Sequence, residues 1–376
     1  MHGRKKSDLP QTQEEKDAVK SKIANYQKVI GAVVHKRKVG EIDGELKVLV
    51  GKVLRLHPDY YSMWNYRREG ILEQLRKLGD GEGMSGEETV GAVYKEELDL
   101  TVDCIKRSSK SYPPWHHRKW ALERWLELPG GRKLLAGELD LCRQFLDLDG
   151  RNFHCWAYRM WVAEQAGLPA AEDFEFTTEK ILQNFSNYSA FHFRSKLLSR
   201  MITEEGRDCW QLLDEELDLA HQAMFTEPAD QSVWWYHHFL LSWAARVEEG
   251  CVPEADTATD GEVVNGVTLA KRYSGVLQSE ASILRELIEV EGRCKWAELA
   301  LLLVTQRLVR SLNITGDEKD QVGALDLKDT CRSMAEQLTT LDPMHSRFYE
   351  FLDGGGEVWG LETRVPKTVD RSGSAV

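Results

Sequence analysis

One phrase recurs five times along the chain, and any fold must accommodate every copy: a small polar loop, an aromatic anchor, and a basic residue three positions after it. The copies are DYYSMWNYRR with Trp64 and Arg67, KSYPPWHHRKW with Trp115 and Arg118, RNFHCWAYRMW with Trp156 and Arg159, SNYSAFHFRS with Phe191 and Arg194, and ADQSVWWYHH with Trp234 and His237. Successive anchors stand 51, 41, 35 and 43 residues apart. One supersecondary unit of about 35 to 45 residues is therefore reused, with insertions confined to its loops. A repeat array grows by stacking, so 376 residues need not mean two ordinary domains.

The apolar periodicity is helical throughout, and no segment sustains the alternation of a strand. A leading helix is predicted over 13–37, followed by two helices per unit: 40–56 with one beginning near Ser62, 87–107 with one beginning at Pro113, 132–148 with 154–166, 172–184 with 189–203, and 208–226 with 231–248. More divergent helices are expected over 268–291, 294–313, 325–341 and 344–352, with Trp296 marking a weak sixth copy. The domain reading is a polar tail over 1–20, five repeats with their leading helix over 21–250, divergent helical repeats over 267–352 and a flexible tail over 353–376. The glycine- and acid-rich linker 79–88 reads as a long exposed turn, and 249–266 is a second polar break. The fold class is all-α, an α-α superhelix or solenoid of antiparallel helix pairs.

Charge and cysteine usage narrow the function. A formal net charge of −12 argues against general nucleic-acid binding, so any anionic ligand must be met by a local cluster. The seven cysteines are scattered without a Cys-x-x-Cys pair, which reads as reduced thiols and a cytoplasmic setting. The polar start MHGRKKSDLP is unlike a secretory leader, and the longest apolar run, AELALLLV, is far too short to span a membrane.

In every unit the polar loop stands just ahead of the second helix, so helix N-termini with unpaired amides share one edge and favour anions there. Unit two offers Lys110, Ser111 and Tyr112 to that edge, and unit three offers Arg151, Asn152, Phe153 and His154. A lysine beside a tyrosine hydroxyl and a histidine suits a phosphate-like group that gains charge as it leaves. Each residue has a plainer reading as well. The anchors and their +3 basic residues work as packing wedges with charges paired to the next helix, Lys110 as a solvated loop lysine, and Tyr112 and His154 as repeat packing. No metal-ligand spacing, glycine-rich phosphate loop or nucleophile triad is visible within the chain.

The five phrases, together with MHGR at the start and LDPMHSRF near the end, resemble the repeats of the protein prenyltransferase α-subunit family. The wording is most similar to its type II, Rab geranylgeranyltransferase branch, with the farnesyltransferase/type I α subunit and a non-catalytic repeat scaffold as alternatives. The resemblance implies a crescent wrapped around a β subunit that holds the isoprenoid and a catalytic zinc, with no metal in this chain itself. It further implies a heterodimer transferring geranylgeranyl from its diphosphate to C-terminal cysteines of Rab GTPases presented by an escort protein. The family's catalytic lysine and adjacent tyrosine fall on Lys110 and Tyr112, and its substrate-facing positions of the third repeat on Asn152, Phe153 and His154. Phe191 in place of Trp and His237 in place of Arg depart from the repeat pattern. Longer relatives carry immunoglobulin-like and leucine-rich modules, and this sequence resembles the short form. Whether His2 reaches the partner's zinc is left open by the sequence.

Overall fold

The computed structural model describes residues 12–79, 86–248, 266–315 and 318–354. Of the expected breaks at 79–88 and 249–266, residues 80–85 and 249–265 lie outside the described residues, as do His2 and the tail beyond 354, whereas Gly79, 86–88 and Gly266 are helical. Among the described residues every regular element is helical, which bears out the all-α expectation.

The chain divides into two compact units at Leu168/Pro169. The first holds α1 (Gln13–Lys38), α2 (Gly44–Leu56), α3 (Tyr61–Gly79), α4 (Gly86–Arg107), α5 (Tyr112–Leu126), α6 (Leu134–Leu148) and α7 (Phe153–Ala166). The second holds α8 (Ala170–Gln183), α9 (Tyr188–Thr203), α10 (Cys209–Thr226), α11 (Gln231–Glu248), α12 (Gly266–Glu291), α13 (Lys295–Thr315), α14 (Glu318–Leu341) and α15 (Ser346–Asp353). Helices pack as consecutive pairs, α2 with α3, α4 with α5 and onward, as short connections dictate. The division falls inside the stretch read from sequence as one repeat domain. There Gly167 takes φ +65°, a left-handed helix cap open to glycine, and Pro169 prevents the helix from continuing.

The first helix starts are set by local chemistry. Gly40, at φ +77°, ends α1, and α2 begins only at Gly44, where the Asp43 carboxylate caps it by accepting from the Leu46 amide at 2.8 Å. The second helix, expected near Ser62, begins at Tyr61, which places Ser62 inside the first turn rather than at a capping position. The leading helix starts at Gln13, as its periodicity predicts, because Thr12 and Glu15 form a reciprocal capping box.

The repeated phrase builds three kinds of bond that recur from pair to pair, with all three present where Trp115 is the anchor. The indole N–H of Trp64, Trp115, Trp156 and Trp234 donates to the carbonyl six residues upstream, at 2.7 to 3.0 Å, pinning the loop that precedes its helix. Phe191 has no such donor and is simply buried. The +3 arginine reaches a carbonyl 20 residues upstream and a glutamate of the following pair: Arg67 to Lys47 O and Glu97, Arg118 to Leu98 O and Glu138, Arg194 to Phe174 O and Glu216. The residue between anchor and arginine then closes the circuit, as His117 binds Glu97, Tyr158 binds Glu138 and Tyr236 binds Glu216. Each glutamate is thus a buried hub that ties its own pair to the preceding one.

These hubs offset part of the cost of burying charge, since each carboxylate meets an arginine and a second donor. Burial opposes ionisation of Glu97, but the His117 hydrogen bond and the Arg67 charge outweigh it and hold the carboxyl below its usual range. His117 is itself held neutral by complete burial; its Nε2–H donates to Glu97 and its Nδ1 accepts from Arg68. Where the basic residue is His237, the hub becomes Glu280 on α12, shared with His221.

Candidate functional site

The sequence-predicted site residues Lys110, Tyr112, Asn152, Phe153 and His154 all sit in the first compact unit, on two neighbouring turns. One turn joins α4 to α5 and the other joins α6 to α7. Of the five, Lys110, Tyr112 and Phe153 are exposed, His154 is half-buried and Asn152 is buried.

The backbone around Lys110 is braced from four directions. The Ser109 carbonyl accepts both the Trp115 indole at 3.0 Å and the Asn152 side-chain amide at 2.9 Å. Ser111 Oγ donates to Asp59 at 2.6 Å, from the preceding pair. The His154 ring hydrogen-bonds the Lys110 carbonyl. The main chain is therefore fixed while the side chain, 59 % exposed, is left to reach outward. It meets Asp149 at 3.5 Å, an exposed ion pair of the kind worth about 0–1 kcal/mol, and a stronger anion would displace it.

An aromatic wall stands next to this lysine. The Tyr112 ring, 52 % exposed, stacks on His116 with centroids 5.8 Å apart and meets His154 edge-on at 5.7 Å. Phe153 lies against His154 at 4.0 Å and is 61 % exposed. Tyr61 and Tyr188 repeat the pattern, so that α3, α5, α7 and α9 all open with an exposed aromatic residue three positions before the anchor.

Two residues behave differently from the sequence reading. Asn152 does not face a ligand: its Oδ1 accepts the amides of His154 and Cys155, capping α7, and its Nδ2 is committed to Ser109. It holds the two turns in register. Asn152→Ala is expected to cost about 1–2 kcal/mol of stability through the lost cap, read as a lowered urea midpoint; an unchanged midpoint would remove it from that role. His154 is held below the usual histidine range by burial, against the opposing effect of the Lys110 carbonyl. In the neutral ring the single N–H goes to that carbonyl, so His154 orients Lys110. It has no second N–H for an anion unless protonated.

Sequence reasoning missed Asp149 as the partner of Lys110 and Asp59 as the anchor of Ser111, although both are acids of the polar loops themselves. The repeat anchors Trp64, Arg67, Trp115, Arg118, Trp156, Arg159, Phe191, Arg194 and Trp234 are all buried and take the packing role. Among the described residues, no three His, Cys, Asp or Glu side chains converge as a metal site requires. No helix among them is long and apolar enough to cross a membrane.

The family model for the protein prenyltransferase alpha subunit repeat matches residues 45–72, 94–125, 135–166, 170–201 and 213–244, one match for each anchor. The Dictyostelium discoideum geranylgeranyl transferase type-2 subunit alpha is 31 % identical over 335 residues, covering 88 % of this chain and 92 % of the relative. The chain belongs to the protein prenyltransferase α-subunit family. Its Schizosaccharomyces pombe type-2 relative is 30 % identical, with 94 % of this chain and 97 % of that one covered. The human type-2 subunit is 41 % identical over 251 residues, 65 % of this chain, and there the match spans only 42 % of the relative. The chain thus spans less than half the length of its mammalian relatives. Among solved structures, Candida albicans protein geranylgeranyltransferase-I complexed with GGPP superposes with a TM-score of 0.58 at 17 % identity, covering 94 % of this chain and 95 % of that one, a likeness of fold.

Proposed function

We propose that this chain is the α subunit of a type II protein geranylgeranyltransferase, and that the turn carrying Lys110 forms the diphosphate end of a site shared with a β subunit. The reaction is transfer of geranylgeranyl from its diphosphate to C-terminal cysteines of Rab GTPases presented by an escort protein. The observation that carries the reading is the Lys110 turn itself: a cation on a backbone braced by Trp115, Asn152, His154 and, through Ser111, Asp59. With its main chain already fixed, only the side chain has to move when negative charge develops beside it.

In this proposal Lys110 leaves Asp149 for the departing diphosphate, and the Tyr112 hydroxyl donates alongside it. His154 and Asn152 act as positioning residues. The exposed aromatic residues at the helix starts, Tyr61, Tyr112 and Phe153 in the first unit, supply the apolar contact area that a stable heterodimer needs. Zinc, in this reading, belongs to the β subunit, where it would activate the acceptor thiol; no step is assigned to it through residues of this chain.

The acceptor decides between the type II reading and its farnesyl-type alternative. The chain co-purified with a type II β subunit is expected to turn over escort-bound Rab and to leave a short CaaX peptide unmodified. Modification of the peptide alone would overturn the type II assignment, and failure to assemble with any β subunit would leave a plain repeat scaffold.

A further inference from the structure

A cavity of about 370 Å³ opens in the second compact unit between α9, α11 and α13, well apart in sequence from the Lys110 turn. Trp234, Trp235, Leu241, Trp296, Leu299 and Ala300 line it, an apolar wall large enough for one big aromatic side chain and an aliphatic neighbour. Its lining is not uniformly apolar. Arg307, 5 % exposed, reaches in from α13; it donates to Ser242 Oγ at 2.8 Å, lies 3.3 Å from the His238 ring and hydrogen-bonds Tyr273. Arg310 adds a second positive charge close by. An apolar slot with buried positive charge at its side suits a segment in which bulky apolar residues are flanked by carboxylates.

The chain itself carries such a segment, tethered beside the cavity. Helix α15 ends at Asp353 with its Leu352 carbonyl accepting from Gln306 Nε2 at 2.9 Å, one residue from Arg307. Leu299 and Leu303, which line the cavity, also pack against the cluster that seats Leu352 and Tyr349. From Gly354 the sequence runs GGGEVWGLE: three glycines, then Val358, Trp359 and Leu361 between Glu357 and Glu362. Five extended residues span about 17 Å, and α13 from Trp296 to Arg307 is about 16 Å long at 1.5 Å per residue. The tether is long enough to bring Trp359 to any part of the slot.

We propose that this cavity is a docking site for an acid-flanked aromatic segment and that its occupant is the stretch 357–362 of the same chain, with Trp359 in the slot and a flanking glutamate on Arg307. A partner protein presenting the same chemistry would then have to compete with that stretch. The test uses the full chain, co-expressed with its β partner, with p-benzoylphenylalanine replacing Trp359. Irradiation is expected to cross-link the probe within the same chain, to peptides covering 231–241 and 296–307. Cross-links into the partner chain, into other parts of this one, or none at all would overturn the proposal. A second measurement needs no probe in the segment: in an Ala300→Cys chain, Trp359→Ser is expected to speed alkylation of the new thiol about tenfold. Equal rates would mean that the slot is never covered from within.

Discussion

Glu138→Ala is expected to lower stability by about 3–5 kcal/mol, the cost of leaving a buried charge without its partner. Glu138 is 5 % exposed and accepts from Nη2 and Nε of Arg118, at 2.7 and 2.8 Å, and from the Tyr158 hydroxyl at 2.8 Å. Removing it strands a cation that is 4 % exposed and a phenol that burial, reinforced by the Glu138 charge, holds far above its usual pKa. Arg118 keeps the Leu98 carbonyl and the Thr101 hydroxyl, but neither offsets its charge. For a cooperative unit of this size the loss corresponds to a fall in Tm of roughly 10 °C. The double variant Glu138→Leu with Arg118→Met is expected to recover most of the loss, because the desolvation cost of both ions disappears together. A single-variant loss under about 1 kcal/mol, or no recovery in the double, would show that the hub is incidental to the stacking.

The stacking plan was legible because aromatic anchors at helical spacing leave few alternatives. The hubs were also written in the sequence, but in a form that single-helix reasoning does not see. Glu97, Glu138 and Glu216 each stand 18 residues ahead of an anchor, a spacing that crosses a turn and belongs to the pair of helices. On its own helix each is an ordinary acid of the sort usually found in water. The site was half legible for a related reason. Lys110, Tyr112 and Phe153 project from the turn as their loop position implies, whereas Asn152 and His154 turn inward, since the loop has carbonyls and amides that must be satisfied. Sequence shows which donors a turn contains; which of them the turn itself consumes is decided only when two neighbouring loops meet, as Ser109 and Asn152 do.

Lys110→Ala, in the reconstituted heterodimer, is expected to cut kcat roughly 10- to 100-fold, on the order of 1–3 kcal/mol of barrier, while assembly and Tm stay within error. The stability side follows from exposure: the ammonium's contact in the free chain is the exposed pair with Asp149, and its loss is worth at most about 1 kcal/mol. The catalytic side follows from the braced backbone, which fixes the point from which the ammonium reaches the developing charge. How the loss divides is diagnostic. If Lys110 stabilises charge that grows as the diphosphate departs, kcat falls with little change in KM for the isoprenoid; if it only helps bind the ground state, KM rises alone. Lys110→Arg, which keeps the charge but moves and spreads it, is expected to recover part of kcat. Asp149→Asn frees the ammonium from its resting partner and should lower KM for the diphosphate slightly without raising kcat. Turnover unchanged in Lys110→Ala would remove this lysine from the reaction and return the turn to its plainer role as a solvated loop between two helices.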